Sequence, residues 1–366
     1  MTADPKPVAG TRDQVDLEIE VKERPTGSIS LGAGYSTSDG VILSAGFAQD
    51  NVFGSGKSVS IDVNTSKSQR TYAFSLTEPY ITPEGISRNW DVYDRRVDLD
   101  DLDVADVAYE TIGGGISFGV PVTESDRVFL GTRWEMTKVD LRSASPQRYK
   151  TFVDEYGENP QSLLLTLGWS RDSRDNVLAP TRGRYQRLSG EVSVPGLDTQ
   201  YYRATYQITQ YVPITNSWTL GLNAQVGYGD TYGNDKIFPF FKNFYAGGIG
   251  SVRGYESSSL GPKDVNGDNL GGTEQLVFSA ELLTPLPGAD RTLRGLLFLD
   301  GGNVWGYSAQ SGQSNHMDFN DLRYSWGVGV AWISPLGPLK FSIAFPLNDK
   351  DGDDTQRFQF QIGTGF

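Results

Sequence analysis

With 366 residues and a net charge of −13, the chain carries a field that repels nucleic acid, and no nucleic-acid partner is expected. It contains no cysteine and a single histidine, His316, which excludes disulfides, thiol chemistry, zinc–thiolate centres and paired-histidine metal sites. Glycine (43 residues) and aromatics (12%) exceed ordinary usage, which argues for β-structure and against disorder. The mean hydropathy of −0.38 reads as soluble, yet it is compatible with a membrane barrel, whose strands give only alternate residues to lipid. No run of 18 apolar residues is present, so no membrane-spanning helix is expected. The segment after Met1 lacks the apolar core of a signal peptide, so a secreted origin would make the chain a mature piece.

In chain order, the first predicted element lies within residues 11–24, where Val15, Leu17, Ile19 and Val21 alternate against Asp16, Glu18, Glu20 and Lys22. Its charged face sets it apart from all later strands, and residues 1–24 read as the last strand of a soluble domain followed by a linker at 24–27. From residue 25 to 366 the period is two. Around 218–230 the residues Trp218, Leu220, Leu222, Ala224, Val226 and Tyr228 alternate with Thr219, Gly221, Asn223, Gln225, Gly227 and Gly229, which no helix face can produce. The same pattern recurs at 29–35, 323–332 and 358–366. Sixteen strands are predicted, near 28–38, 41–50, 56–65, 69–79, 86–97, 107–120, 125–140, 161–172, 183–195, 199–213, 216–230, 272–284, 292–304, 322–334, 338–348 and 355–366. Most match the roughly 9–11 residues that a tilted strand needs to cross a bilayer. The polar face is small and uncharged, which suits a wet lumen, so the apolar face is expected to meet lipid. An even strand number brings both barrel ends to one side, the periplasm in a single-chain bacterial barrel. Segments 141–160, 231–271 and 305–321 are long loops, expected to face outward, and the turns near 213–216, 284–291 and 335–338 are short.

Several motifs then resemble one family. Ser251-Val252-Arg253-Gly254-Tyr255, in the longest loop, is similar to the Val-Arg-Gly-aromatic signature of the outer-membrane assembly and two-partner-secretion superfamily. Asn243 to Gly248 before it, Gly261-Pro262-Lys263 after it, the turn Arg171 to Asn176 with Pro180 and Gly183, Ser334 to Leu339 and the aromatic terminus Phe366 complete the likeness. It covers about residues 24–366 and is strongest to the barrel-assembly members. The resemblance implies an all-β, sixteen-stranded antiparallel transmembrane barrel in the outer membrane of a Gram-negative bacterium, both termini periplasmic. It further implies that loop 231–271 folds back into the lumen, and that residues 1–24 are the remnant of a periplasmic POTRA domain.

Two groups of residues become candidates. Alternation turns Glu281 inward with Gln275, Val277 and Ser279, and Asp300 ends another strand in Leu299-Asp300-Gly301-Gly302. A guanidinium buried in a lumen needs carboxylates, and its planar fork can take two. Following the family pattern, Arg253 is expected to pair with Glu281 and Asp300 and, with Gly254 and Tyr255, to anchor the loop. The second group is Gly32 and Gly34 on strand one with Gly363, Gly365 and Phe366 on strand sixteen. Glycine weakens strands, and the residues alone leave open whether these make room for a packed loop or a seam weak enough to open. The resemblance favours the seam, whose exposed edges would template an incoming strand.

Other motifs read as ordinary structure. His316 and Asp318 lie in a loop rich in Ser, Gln and Asn and are read as solvated, not as part of a catalytic triad. The runs from Asp264 and from Asp349 begin like calcium loops but misplace the glycine and lack the closing glutamate. The acidic run at Asp98, Asp100, Asp101, Asp103 and Asp106 is read as a solvated hairpin tip, and Gly113 to Gly115 are not a phosphate loop. No catalysis and no cofactor are expected. The expected function is insertion of client barrels, with nascent outer-membrane proteins, lipoprotein subunits and outer-membrane lipid as partners. The alternatives are a translocator of the same superfamily and a passive porin.

Overall fold

A computed structural model describes residues 2–7, 10, 15–20, 25–287, 292–306, 316–334 and 337–363. Sixteen of the described strands close into one antiparallel barrel: β1 (Gly27–Ser36), β2 (Gly40–Gln49), β3 (Ser58–Thr65), β4 (Gln69–Glu78), β5 (Ser87–Asp98), β6 (Val107–Pro121), β7 (Asp126–Leu141), β8 (Gln161–Asp172), β9 (Gly183–Ser193), β10 (Tyr201–Pro213), β11 (Thr219–Thr231), β12 (Glu274–Pro285), β13 (Leu293–Trp305), β14 (Arg323–Ser334), β15 (Gly337–Pro346) and β16 (Phe358–Ile362). Each pairs with its sequence neighbours, and β16 returns to β1. Among the described residues no helix is long and apolar enough to cross a membrane.

The alternation read from sequence is the alternation of the two faces. Leu31, Trp90, Leu165, Leu222, Leu297 and Trp326 are exposed on the outer surface. Their in-between neighbours point into the lumen, where Thr219, Ser325, Ser342 and Asp300 are buried. The longest connections, after β7, β11 and β13, all lie at the end opposite the one where β1 starts, as expected from the loop lengths. The turn after β8 is held by its own side chains. Arg174 forks onto Asp172 at 2.9 and 2.7 Å, and Asp175 accepts the amides of Thr181 (2.9 Å) and Arg182 (3.2 Å). Arg294 of β13 then reaches across to the carbonyls of Ala179 and Pro180, at 2.8 and 2.9 Å, and braces that end of the barrel. The turns predicted at 284–291 and 335–338 fall partly outside the described residues.

Four expectations need correction. Residues Val15–Glu20 do form a strand, but it pairs antiparallel with Thr2–Pro7, a segment whose prolines hid its extended conformation. The last strand, expected over 355–366, is interrupted: Thr355–Gln356 pairs with Gly254–Tyr255 of the long loop, and among the described residues Phe358–Ile362 joins the barrel. Gly363 has left the strand, with φ of +85°, so it is not a lumen-facing strand residue. The acidic hairpin tip is not simply solvated. Leu99, Val104 and Ala105 within it are buried, and its carboxylates Asp98, Asp100 and Asp106 converge on Arg142 at 2.6, 3.0 and 3.4 Å.

The tip is buried because the segment predicted as a plain loop at 141–160 contains a helix, α1 (Gln147–Tyr156). Pro146 pre-sets the turn that starts it. Tyr149, Phe152 and Tyr156, spaced by three and four residues, share one face. Tyr149 stacks on Phe240 of the long loop with ring centroids 4.1 Å apart, and Phe152 meets Phe240 edge-on at 5.7 Å. With Val97, Leu99, Val104, Val139 and Leu270 these rings form an apolar dome over the loop end of the lumen. Phe240 is fully buried there, so Phe240→Ala is expected to cost about 3–5 kcal/mol. Amide exchange is the measurement: protection should fall across α1 and residues 99–106 and persist in the barrel strands.

Candidate loop anchor and barrel seam

The loop between β11 and β12 descends inside the lumen. Gly247 (φ +107°) and Gly254 (φ +93°) supply conformations that other residues strain to adopt. Between them the chain delivers Arg253 against the inner wall of β12 and β13. The register pairs Ser279 of β12 with Asp300 of β13, and Glu281 with Phe298, so all four side chains project into the lumen side by side. Arg253 donates Nε to Asp300 Oδ2 and Nη2 to Asp300 Oδ1, both at 2.7 Å. Its Nη1 lies 2.8 Å from Glu281 Oε1. Its own backbone amide donates to Asp300 Oδ2 at 3.1 Å. Ser279 donates to Asp300 Oδ1 at 2.6 Å and accepts from Arg253 Nη2 at 3.1 Å. The guanidinium lies flat over Phe298, its carbon 3.5 Å from the ring centroid. Asp300 is 0% exposed and Arg253 is 7% exposed, so both charges depend on one another.

Gly254 and Tyr255 carry the chain away from this clamp along β14 and β15. A Cβ at Gly254 would sit 3.2 Å from the Ala344 methyl. Tyr255 is fully buried, and its carbonyl accepts from Gln359 Nε2 at 2.7 Å. Glu256 donates its amide to the Asp354 carbonyl at 2.9 Å, and Lys263 pairs with Asp354 at 2.6 Å. The long loop is therefore bonded both to β12–β13 and to the segment that leads into β16.

A second anchor escaped the sequence reading. Lys242, on the same loop, lies 2.7 Å from Glu135 of β7 and 3.4 Å from Glu191 of β9. The Tyr93 hydroxyl completes the set by donating to Glu135 at 2.6 Å. Gly113 makes this possible, since a Cβ there would stand 2.6 Å from the Tyr93 oxygen. Alternation could have turned Glu135 and Glu191 inward. No spacing rule links either to a lysine within the aromatic run Phe238-Pro239-Phe240-Phe241-Lys242. Beside this anchor a lumen cavity of about 760 Å³ remains, walled by β3–β7 and the loop.

The seam is the weak closure of the barrel. Among the described residues, β16 meets β1 only through Gln361↔Ser36 and Ile362↔Tyr35, with one further bond from the Thr37 amide to the Phe360 carbonyl at 3.1 Å. The β8–β9 ladder, by contrast, runs from Leu164↔Ser193 to Asp172↔Tyr185. Gly363 follows β16 against β1, packed so tightly that a Cβ would lie 2.6 Å from the Ala33 carbonyl oxygen and 2.9 Å from Gly34 Cα. Gly32 and Gly34 are half-buried on the lumen side of β1. Gly365 and Phe366 lie outside the described residues. On the outer face Phe360 lies nearly parallel to Tyr35 (5.4 Å, 11°) and to Phe341 (6.2 Å, 10°), a stack that bridges β1, β16 and β15. Such pairs add about 0.5–1.5 kcal/mol each. In lipid each unpaired backbone group costs several kcal/mol, so the stack steadies the seam without replacing a ladder.

The remaining candidates take structural places. The His316 side chain is 88% exposed with Nδ1 3.1 Å from Glu274, and Asp318 caps the short turn at Asn320. Asp264 accepts the amides of Asn266 and Asp268, closing its own turn, and Asp353 pairs with Arg323 at 2.5 Å.

A barrel of sixteen strands with an inward loop carrying Val-Arg-Gly-Tyr defines a class of outer-membrane barrel, and the comparisons agree. The family model described as the Omp85 superfamily domain matches residues 51–366, and the chain belongs to that superfamily. It is 42% identical to outer membrane protein assembly factor BamA of Neisseria meningitidis serogroup B, over 99% of this chain and 50% of that protein. Its fold superposes on BamA from Haemophilus ducreyi lacking POTRA domains 1–3 with a TM-score of 0.89 at 28% identity, covering 99% of this chain and 74% of that one. CdiB from Acinetobacter baumannii shares the fold, with a TM-score of 0.62 at 14% identity over 99% of this chain and 64% of that one. The chain spans about half the length of the curated relatives it matches. It is an outer-membrane barrel.

Removing one partner of a buried ion pair costs about 3–5 kcal/mol. Arg253→Ala should release the loop and raise protease cleavage within 231–271. Arg253→Lys should restore only part of the protection, because an ammonium cannot fork onto Asp300 while reaching Glu281. Limited proteolysis of the two variants in lipid gives the answer, and unchanged protection in Arg253→Ala would remove the anchor role from this cluster.

Proposed function

We propose that the chain is the membrane-embedded part of an insertase for outer-membrane β-barrel proteins, and that β1 and β16 part to admit a client strand. The observation that carries this reading is the seam. A closed barrel in lipid keeps its backbone groups paired, yet here, among the described residues, one junction is held by two residue pairs, a single extra hydrogen bond and an aromatic stack. Parting these strands releases few bonds and uncovers the edge of β1, which a client can satisfy by adding a strand. The work is therefore an exchange of hydrogen bonds, with no bond chemistry, catalytic group or cofactor needed. Its partners would be nascent outer-membrane proteins, lipoprotein subunits of an assembly machine and the lipid beside the seam. The relatives named as assembly factors support this reading, as does the 97% coverage of this chain by a SAM50-like protein of Schizosaccharomyces pombe at 24% identity. The loop inside the lumen, anchored at Arg253 and Lys242, argues against an open pore.

A lock across the register tests it. Ser36→Cys with Gln361→Cys joins residues that face one another on the lumen side, and the chain has no native cysteine to interfere. Oxidation should leave the barrel folded and stop client insertion, with recovery on reduction. A lock between β8 and β9, Leu165→Cys with Val192→Cys, should be tolerated. Normal insertion by the fully oxidised seam lock would shift the reading toward a translocator that moves clients through its lumen.

A further inference from the structure

The turn between β2 and β3 holds the most exposed large apolar side chain among the described residues. Phe53 has a relative exposure of 103%. Its backbone sits in the left-handed region, φ +51° and ψ +31°, where a bulky residue is a genuine outlier. Backbone strain of this kind costs about 1–3 kcal/mol and persists only where the surroundings over-determine it. Here they do. The Asn51 side chain accepts the Gly56 amide at 2.7 Å, Ser55 donates to the Val52 carbonyl at 2.6 Å, and Val52 donates its amide to the Lys57 carbonyl at 2.9 Å. Asp50 accepts from the Ser58 hydroxyl at 2.8 Å. These bonds hold the turn in a conformation that leaves an aromatic ring fully exposed.

Its position narrows the purpose. Asp50 donates its amide to the Thr26 carbonyl at 2.8 Å, so the turn is bonded to the entrance of β1, the strand whose other edge is the seam. The next turn, after β4, presents Tyr80 with a relative exposure of 79%. Between the two turns lies a groove of about 620 Å³. Glu78 neutralises its cations, lying 2.9 Å from Lys57 and 2.5 Å from Arg88. Tyr80 and Ile81 line one side of the groove, Phe53 stands on the turn that supplies its other side, and its charges are balanced. Lipid would explain exposed rings at a barrel rim, but lipid asks for no particular backbone, and an unstrained turn would place a ring in a headgroup region equally well. A strand on its way to β1 does need a ring held in a fixed direction. β16 shows what such a strand looks like when docked: Phe358, Phe360 and Ile362 along one face, with Phe360 stacked on Tyr35 of β1.

We infer that Phe53, with Tyr80, forms a landing surface for the apolar face of an extended, aromatic-bearing client strand before that strand reaches the edge of β1. The inference rests on the insertase reading, but it concerns a step ahead of seam opening, so the two fail separately. Phe53→Asn is the sharp variant, because asparagine accepts the left-handed conformation and removes the ring without adding strain. Assembly of a client barrel by the full-length protein in native membranes should slow by about fivefold or more, the loss expected when a binding anchor is truncated. Phe53→p-benzoylphenylalanine should give a photo-adduct with the client, and the adduct should persist when Ser36→Cys and Gln361→Cys are oxidised, since landing precedes opening. Assembly by Phe53→Asn at the unmodified rate, or adducts with lipid alone, would overturn the landing surface and leave the seam untouched. Client insertion through an oxidised seam would overturn the seam and leave the landing adduct in place.

Discussion

Backbone hydrogen bonding in lipid is the constraint on which this structure depends. An unpaired amide or carbonyl costs several kcal/mol where no water can reach it, so a membrane sheet must close on itself. Fifteen of the sixteen junctions among the described strands form ladders of five residue pairs or more. The sixteenth does not, and the reasons are local. The register sets Gln361 opposite Ser36 and Ile362 opposite Tyr35, at the last residues of β1, and among the described residues only Gly363 follows on the partner side, where it has left the strand with a φ of +85°.

The inward loop takes up the segment that leads into β16. Arg253 fixes it to β12 and β13, Lys242 fixes it to β7 and β9, and Gly254 and Tyr255 then take up the strand that would otherwise extend β16. Gln359, which belongs to β16, spends its side-chain amide on the Tyr255 carbonyl. The anchor and β16 are thus joined by the pair 355–356, which bonds to the loop just ahead of the strand, and by Gln359 within it. This is a physical connection between named groups. A loop released at Arg253 would free Thr355 and Gln356 to change partners.

Much of this was legible in the residues. Alternation located the barrel strands because small polar and large apolar side chains must separate across a pleated sheet, and it turned Glu281 inward. The pairing of Arg253 with Glu281 and Asp300 came from the family likeness, since nothing local joins residues 253, 281 and 300. What stayed hidden was tertiary. The period of two runs unbroken from Phe358 through Gln361 to Phe366, so the loss of strand at Gly363 and the diversion of 355–356 left no mark in it. Helix α1 was short enough to pass as loop, although Tyr149, Phe152 and Tyr156 share its buried face. Lys242 had no spacing to Glu135, and the acidic tip looked solvated because Arg142, its partner, comes from another connection.

The most direct test of the account is residue-resolved amide exchange of the barrel in lipid, without client. Closure this sparse predicts that the amides of Tyr35, Thr37 and Ile362 exchange at least about a hundredfold faster than those of Leu165 and Val192 in the β8–β9 ladder, as befits local opening far below the global unfolding free energy. Equal protection at the two junctions would mean that the seam is as firmly shut as any other part of the wall, and would contradict the account.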